Sequence, residues 1–354
     1  MGGDLAVALI VFAGSACVVV FCGAKLAVYG DVLATLTGWG RLFVGSLLMA
    51  FATSLPELSA NVSAVRLDPP NPELALGDIL GSNMLNIFIL AAVALGFGAK
   101  RFMERVAPEQ GYLIVAASVM TGLALLLGGL GISVSLWEVG LSSVVLIVVF
   151  IIGMWLVYKT RPQDGNEYES EPEPLMGLGR AWALFGLVAA GVLVSGFFLA
   201  WSADQITEIT GIASSTLGIL LVALVTSMPE ISSTIAAARM GAADLGVAGL
   251  YGSCAFNISI LFYSDIFFRD GIVVNHMQSG HFVAGGVAVG MMLLGLALVL
   301  AHRRLRQVVA AGVLGLMAGA YVAGAVIVAT LGASEHQSES GERPELSGSS
   351  THLG

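Results

Sequence analysis

Charge is scarce in this 354-residue sequence: Asp, Glu, Lys and Arg make up 11% of it, against 57% hydrophobic residues. Soluble domains carry about 25% charged and about 45–50% apolar residues, so a soluble globular fold is excluded. Cysteine is scarcer still. Cys17, Cys22 and Cys254 all fall inside apolar segments and read as small buried thiols, with no disulfide or metal–thiolate framework implied. The five histidines, His276, His281, His302, His336 and His352, stand at segment ends or in loops. No imidazole is therefore available at a helix centre to activate a nucleophile, and an intramembrane hydrolase is not expected. The net charge of −9 is concentrated in residues 164–173 and after residue 332. That makes it a property of solvated loops and not of a binding face, and no nucleic-acid partner is expected. A basic stretch is missing ahead of the first apolar segment, which reads as a retained helix and not a cleaved signal peptide.

What the sequence has in quantity is long apolar runs. Residues 5–28, 112–130, 133–157 and 284–301 each run about 18–25 residues with at most one charge, and about 20 apolar residues cross the hydrocarbon core as a helix. The expected fold class is an all-α polytopic membrane protein of about ten transmembrane helices. These are placed near residues 5–28, 40–66, 73–96, 110–130, 133–158, 180–202, 213–239, 243–264, 282–301 and 308–332. A first half over residues 1–158 and a second over 180–332 flank a polar, acidic linker at 159–179. The tail 333–354 is rich in Ser, Glu and Gly and is expected to be disordered. Alternate loops place twelve of the 15 Lys and Arg on one side, among them Lys100, Arg101, Arg105 and Arg239. Only Arg66, Arg269 and Arg343 fall on the other. The positive-inside rule puts the rich side in the cytoplasm, with both termini outside and the plasma (inner) membrane as the expected location.

An internal repeat organises the two halves. Gly45, Thr53, Ser54, Pro56, Glu57, Ser59, Ala64 and Arg66 recur 173 residues later as Gly218, Thr226, Ser227, Pro229, Glu230, Ser232, Ala237 and Arg239. Gly81, Ser82 and Asn86 then recur 171 residues on as Gly252, Ser253 and Asn257. Five expected spans separate the copies, so the second must cross the membrane in the opposite sense. The fold is therefore expected to be two inverted five-helix repeats, a plan common among secondary transporters.

The repeated residues carry oxygen chemistry. An acid at a transmembrane helix centre costs about 2.5–3.5 kcal/mol on insertion scales, and Glu57 and Glu230 fall near the centres of their expected helices. With no Lys, Arg or His in the helix centres, the remaining partners are protons or metal cations. Pro56 and Pro229 are expected to break their helices and free carbonyls at Ala52 and Val225, while neighbouring Thr and Ser hydroxyls add oxygens. Ser82 stands one turn before Asn86, and Ser253 one turn before Asn257, on one helical face. Glycine ahead of each serine allows close helix approach. Two carboxylates, two amides and several hydroxyls suit hard cations such as Ca²⁺ and Na⁺, not zinc or copper. Asp78 has no counterpart, since Gly249 stands at the matching position. Its expected role is the favourable one of an acid in the first turns of a helix, with a third carboxylate near the ion path, one turn before Ser82 on the same face, as the alternative.

These motifs resemble the two alpha-repeats of the sodium/calcium exchanger family, within the calcium/cation antiporter superfamily, over residues 38–95 and 211–264. The resemblance implies a ten-helix fold, with the second, third, seventh and eighth helices around the ions. It implies a central site of Glu57, Glu230, Asn86 and Asn257. It also implies flanking monovalent sites from Thr53, Ser82 and the Ala50 carbonyl in one half and Thr226, Ser253 and the Ala223 carbonyl in the other, with Ser54 and Ser227 as further ligands. Two departures stand out: Ala52 and Val225 replace the glycine that usually precedes Thr-Ser-x-Pro-Glu, and both Asn86 and Asn257 are amides where many sodium/calcium exchangers carry one Asp. The expected activity is antiport of Ca²⁺ for Na⁺ by alternating access, with H⁺ as the alternative coupling ion and a cation channel as the more distant alternative. Channels place charged rings or carbonyl filters on a symmetry axis, whereas an inverted repeat points to a carrier. No catalysis, cofactor or obligatory protein partner is expected; the transported ions and the lipid bilayer are the partners.

Overall fold

Long apolar stretches free of proline propagate as helices once nucleated, and the computed structural model is accordingly nearly all helix. It describes residues 2–37, 51–160, 176–301 and 306–341. In the first half, α1 spans Gly2–Thr37, α2 Leu55–Ala64, α3 Pro72–Gly96, the short α4 Ala99–Met103, α5 Gln110–Leu130 and α6 Leu141–Lys159. In the second, α7 spans Leu178–Thr210, α8 Ser214–Thr226, α9 Met228–Arg239, α10 Ala243–Phe267, α11 Ser279–Ala301 and α12 Gln307–Gly341. Among the described residues, eight helices are long and apolar enough to span a membrane, or nine when α8 and α9, bent by 47° at their junction, count as one. The remaining expected span, 40–66, falls partly on residues 38–50, outside the described residues. The linker residues 161–175 and the tail residues 342–354 also lie outside them.

Several boundaries differ from expectation. The 36-residue α1 continues to Thr37 because residues 29–37 hold no proline and a single glycine, too little to stop a formed helix. For the same reason α12 runs to Gly341, through the first nine residues of the stretch expected to be disordered. The fifth span starts late. A two-stranded hairpin, Ser135–Leu136 against Val139–Gly140, occupies the residues expected to open it. Trp137 and Glu138 both have positive φ, the backbone of a two-residue primed turn.

Burial separates the helices into two classes. The hydropathic windows of α3 and α10 are 78% buried, against 17–44% for the other spans. These two 25-residue helices form the centre, and they carry the two Gly-Ser-x-x-x-Asn motifs. Helices α1 and α7 pack along each other at one flank, while α11 and α12 cover α3 at the other. Close approach at the centre requires glycine. A Cβ on Gly77 would stand 2.8 Å from the Ser215 carbonyl oxygen, and one on Gly218 would stand 2.6 Å from that of Leu74. Gly218 opens a single π-helical turn, Gly218–Val222, within α8. Such turns gather at functional sites.

Candidate functional site

The break in each repeated helix comes at serine. Ser54 and Ser227 have near-identical conformations, φ −91°, ψ 8° and φ −83°, ψ 6°. Helix then restarts at Leu55 and Met228, with Pro56 and Pro229 in the first turn of α2 and α9. The prolines are expected to break their helices, and each break falls two residues ahead of the proline, which opens the next helix instead of sitting inside one. Proline is tolerated at a helix start because the N–H it lacks has no intrahelical partner there. The consequence is electrostatic: Glu57 and Glu230 stand in first turns, where the positive helix end favours a carboxylate.

The repeated side chains converge and are buried. Glu57 is 0% exposed and Glu230 2%; Asn86, Asn257, Ser54, Ser227, Ser82, Ser253, Thr53 and Thr226 are buried with them. Their contacts cross between halves. Ser54 Oγ donates to Glu230 Oε1 at 3.5 Å, and its counterpart Ser227 Oγ donates to Glu57 Oε1 at 3.4 Å. Asn83 and Cys254, also repeat counterparts, bond each other: Asn83 Nδ2 donates to the Cys254 carbonyl at 3.1 Å, and Cys254 Sγ to the Asn83 carbonyl at 3.9 Å. Counterparts that meet in this way lie on a pseudo-two-fold axis. Ser253 Oγ joins Glu230 Oε1 at 3.2 Å and Ser54 Oγ at 2.9 Å, and accepts from Asn86 Nδ2 at 3.3 Å. Thr53 also bonds Glu230.

Hydrogen bonding leaves a specific remainder. Glu57 Oε2, Glu230 Oε2, Asn86 Oδ1 and Asn257 Oδ1 are buried without a partner. Leaving a buried acceptor unsatisfied costs about 1–3 kcal/mol, more when it is charged. All four are oxygens able to coordinate a cation or to accept a hydrogen bond. The donor set is all oxygen, as Ca²⁺ and Na⁺ require. Among the described residues no three His, Cys, Asp or Glu side chains form a metal cluster; amides and hydroxyls supply the balance here.

The flanking hydroxyls pair differently from the grouping by halves. Ser82 Oγ lies 3.5 Å from Thr226 Oγ1 of the opposite half. The Ala223 carbonyl is within its own helix, accepting from Ser227 N at 3.1 Å and Thr226 Oγ1 at 3.3 Å. Ala50 lies outside the described residues.

Three neighbours, Asn61, Asn83 and Thr121, escaped sequence reasoning, and a fourth, Asp78, differs from its expected role. Asp78 is 1% exposed and six residues past the start of α3, too deep for the helix-end role expected of it. Its Oδ1 accepts from Thr226 Oγ1 at 2.8 Å and its Oδ2 from Asn61 Nδ2 at 2.6 Å. Asn61, one turn after Glu57, also donates to the Glu57 carbonyl at 2.8 Å. Asn83 accepts from Asn257 Nδ2 at 3.2 Å and donates to Thr121 Oγ1 at 3.1 Å. The only available signal was position: Asn61 shares a helical face with Glu57, but its repeat counterpart is Thr234.

Comparison with known proteins agrees with this architecture. The inner membrane protein YrbG of Escherichia coli (strain K12) is 27% identical over 245 residues, which cover 69% of this chain and 74% of YrbG. Among solved structures, the H⁺/Ca²⁺ exchanger CAX superposes with a TM-score of 0.62 at 14% identity, covering 94% of this chain and 89% of that one. The sodium-calcium exchanger NCX_Mj superposes with a TM-score of 0.58 at 21% identity, covering 90% and 97%. The profile of the sodium/calcium exchanger protein family matches residues 7–159 and 180–330, one block in each half. The chain belongs to the sodium/calcium exchanger protein family.

Proposed function

We propose that this chain is a secondary antiporter that exchanges Ca²⁺ for Na⁺ across the membrane by alternating access, with Ca²⁺ bound at the midplane between Glu57 and Glu230. The observation that carries the proposal is the set of four unpartnered acceptors, one on each of Glu57, Glu230, Asn86 and Asn257. Two carboxylates balance one Ca²⁺, or are balanced in turn by monovalent ions. The empty site holds two negative charges, which keeps the carrier from crossing unloaded. The turn at Ser227 separates α8 from α9, Ser54 has the matching conformation ahead of α2, and small dihedral changes there would re-aim the carboxylates. With the arginine-rich side in the cytoplasm and both termini outside, inward Na⁺ would drive Ca²⁺ out.

Coupling to protons is the second reading. It is favoured by Asn86 and Asn257 both being amides, which leaves one carboxylate fewer for Na⁺, and by the likeness of fold to the H⁺/Ca²⁺ exchanger. The discriminating experiment measures uptake of radiolabelled Ca²⁺ into proteoliposomes under an outward Na⁺ gradient or an outward proton gradient, imposed separately. Uptake on the Na⁺ gradient alone is expected. Uptake on the proton gradient alone would replace Na⁺ by H⁺, and ohmic single-channel currents would remove the antiporter reading altogether.

A further inference from the structure

Arg239 closes the repeated motif, yet neither the ion site nor the expected gating uses it. It ends α9 and lines a cavity of about 150 Å³ together with Arg101, Arg105, Phe97 and Phe102. A cavity of that size holds a group as large as a benzene ring, and so a phosphate. Arg105 is positioned from the opposite half. Its Nη1 donates to the Gly241 carbonyl at 3.5 Å, and a Cβ on Gly241, whose φ is +77°, would stand 2.7 Å from that nitrogen. Arg101 and Arg239 have no hydrogen-bond or ion-pair partner among the described residues. Two of the nearest acids in sequence are engaged elsewhere. Glu104 pairs with Lys100 at 3.5 Å, and Asp244 accepts from Ala107 N at 3.0 Å and Gln110 Nε2 at 2.9 Å. Three guanidiniums around one cavity, none ion-paired among the described residues, call for an anion, and the planar guanidinium fork suits phosphate oxygens.

The location selects the source of that phosphate. The cavity sits where α3 and α9 end, on α4 and at the start of α10, the level at which the chain leaves the membrane. An exposed apolar side chain lines it, Phe97 at 40%, and Met240, at 72%, stands in sequence between the lining residues Arg239 and Gly241. A soluble anion has no use for such a rim, whereas a lipid brings acyl chains to cover it. Basic pockets between helices on the cytoplasmic side hold anionic headgroups for the same reason. We propose that the Arg101–Arg105–Arg239 cavity binds the headgroup phosphate of an anionic phospholipid and, having walls from both halves, ties them together at the membrane surface. This inference stands independently of the transported ions.

The test uses the full chain in mild detergent, titrated with phosphatidylglycerol, phosphatidylcholine or inorganic phosphate, with adducts counted by native mass spectrometry. Phosphatidylglycerol is expected to bind preferentially. Arg101→Gln or Arg239→Gln should weaken it about 5-fold each, and the double variant about 25-fold, from about 1 kcal/mol per basic residue at a membrane surface. Arg66→Gln, which removes a cation resting on Phe267 away from the cavity, should leave binding unchanged. Thermal unfolding without lipid, together with the charge-keeping Arg101→Lys/Arg239→Lys variant, separates lost binding from lost folding; the lysine variant should retain more binding than the glutamine one. Equal binding of both lipids, or undiminished binding by the double glutamine variant, overturns the proposal. Inorganic phosphate binding as tightly as phosphatidylglycerol overturns the lipid assignment.

Discussion

The two halves of the proposed ion site are nearly identical on the pseudo-two-fold axis and unlike one another away from it. On the axis, Ser54 reaches Glu230 and Ser227 reaches Glu57 at 3.5 and 3.4 Å. Off the axis, Ser253 bonds Glu230, Ser54 and Asn86, whereas Ser82 faces Thr226, which in turn bonds Asp78. Where Asp78 supplies a carboxylate, the other half has Gly249. Under the proposed function, side chains that meet one shared ion are held to the same chemistry in both halves. Those around it serve one half only and are free to diverge.

This comparison can be broken or sharpened by substitution. The largest effect is expected at the shared centre: Glu57→Gln and Glu230→Gln should each abolish Ca²⁺ flux in proteoliposomes while the protein stays folded by circular dichroism. Normal flux in either would remove the site assignment. Asp78→Asn should act on one flank only. Hydrogen bonds to a charged group are worth about 1.5–3 kcal/mol, so Na⁺ competition against Ca²⁺ should weaken about tenfold or more, with Ca²⁺ affinity changed far less. An equal loss for both ions would place Asp78 in the shared centre. Smallest are the axial serines. Ser54→Ala and Ser227→Ala each delete one hydrogen bond of about 1 kcal/mol, and Ca²⁺ affinity should fall about fivefold in both. A large inequality between the two would mean that the halves do not share the ion evenly.

The same division decided what could be read in advance. Helices announced themselves because apolar runs of bilayer length have no other fold, and Glu57, Glu230, Asn86 and Asn257 stood out because each appears twice. Asp78, Asn61, Asn83 and Thr121 appear once, and a single buried amide or acid looks the same in sequence as one capping a helix. Position alone makes Asp78 a helix-end acid, whereas its oxygens accept from Asn61 and Thr226. The hairpin at Ser135–Gly140 was equally hidden. Its turn depends on positive φ at Trp137 and Glu138, residues with no preference for that region, and on Asp265 Oδ2 accepting from Gly140 N at 2.8 Å. Tertiary contacts of that kind leave no local pattern. The arginine cavity was legible only as a charge bias between loops, because its walls come from distant segments.

The most direct test of the central claim is the position of Ca²⁺ itself, located by long-wavelength anomalous diffraction from crystals grown with Ca²⁺. The account predicts a peak bounded by Glu57 Oε2, Glu230 Oε2, Asn86 Oδ1 and Asn257 Oδ1, at about 2.3–2.6 Å from its oxygen ligands. A fully occupied Ca²⁺ site elsewhere, with those four oxygens facing water or protein donors, would contradict it.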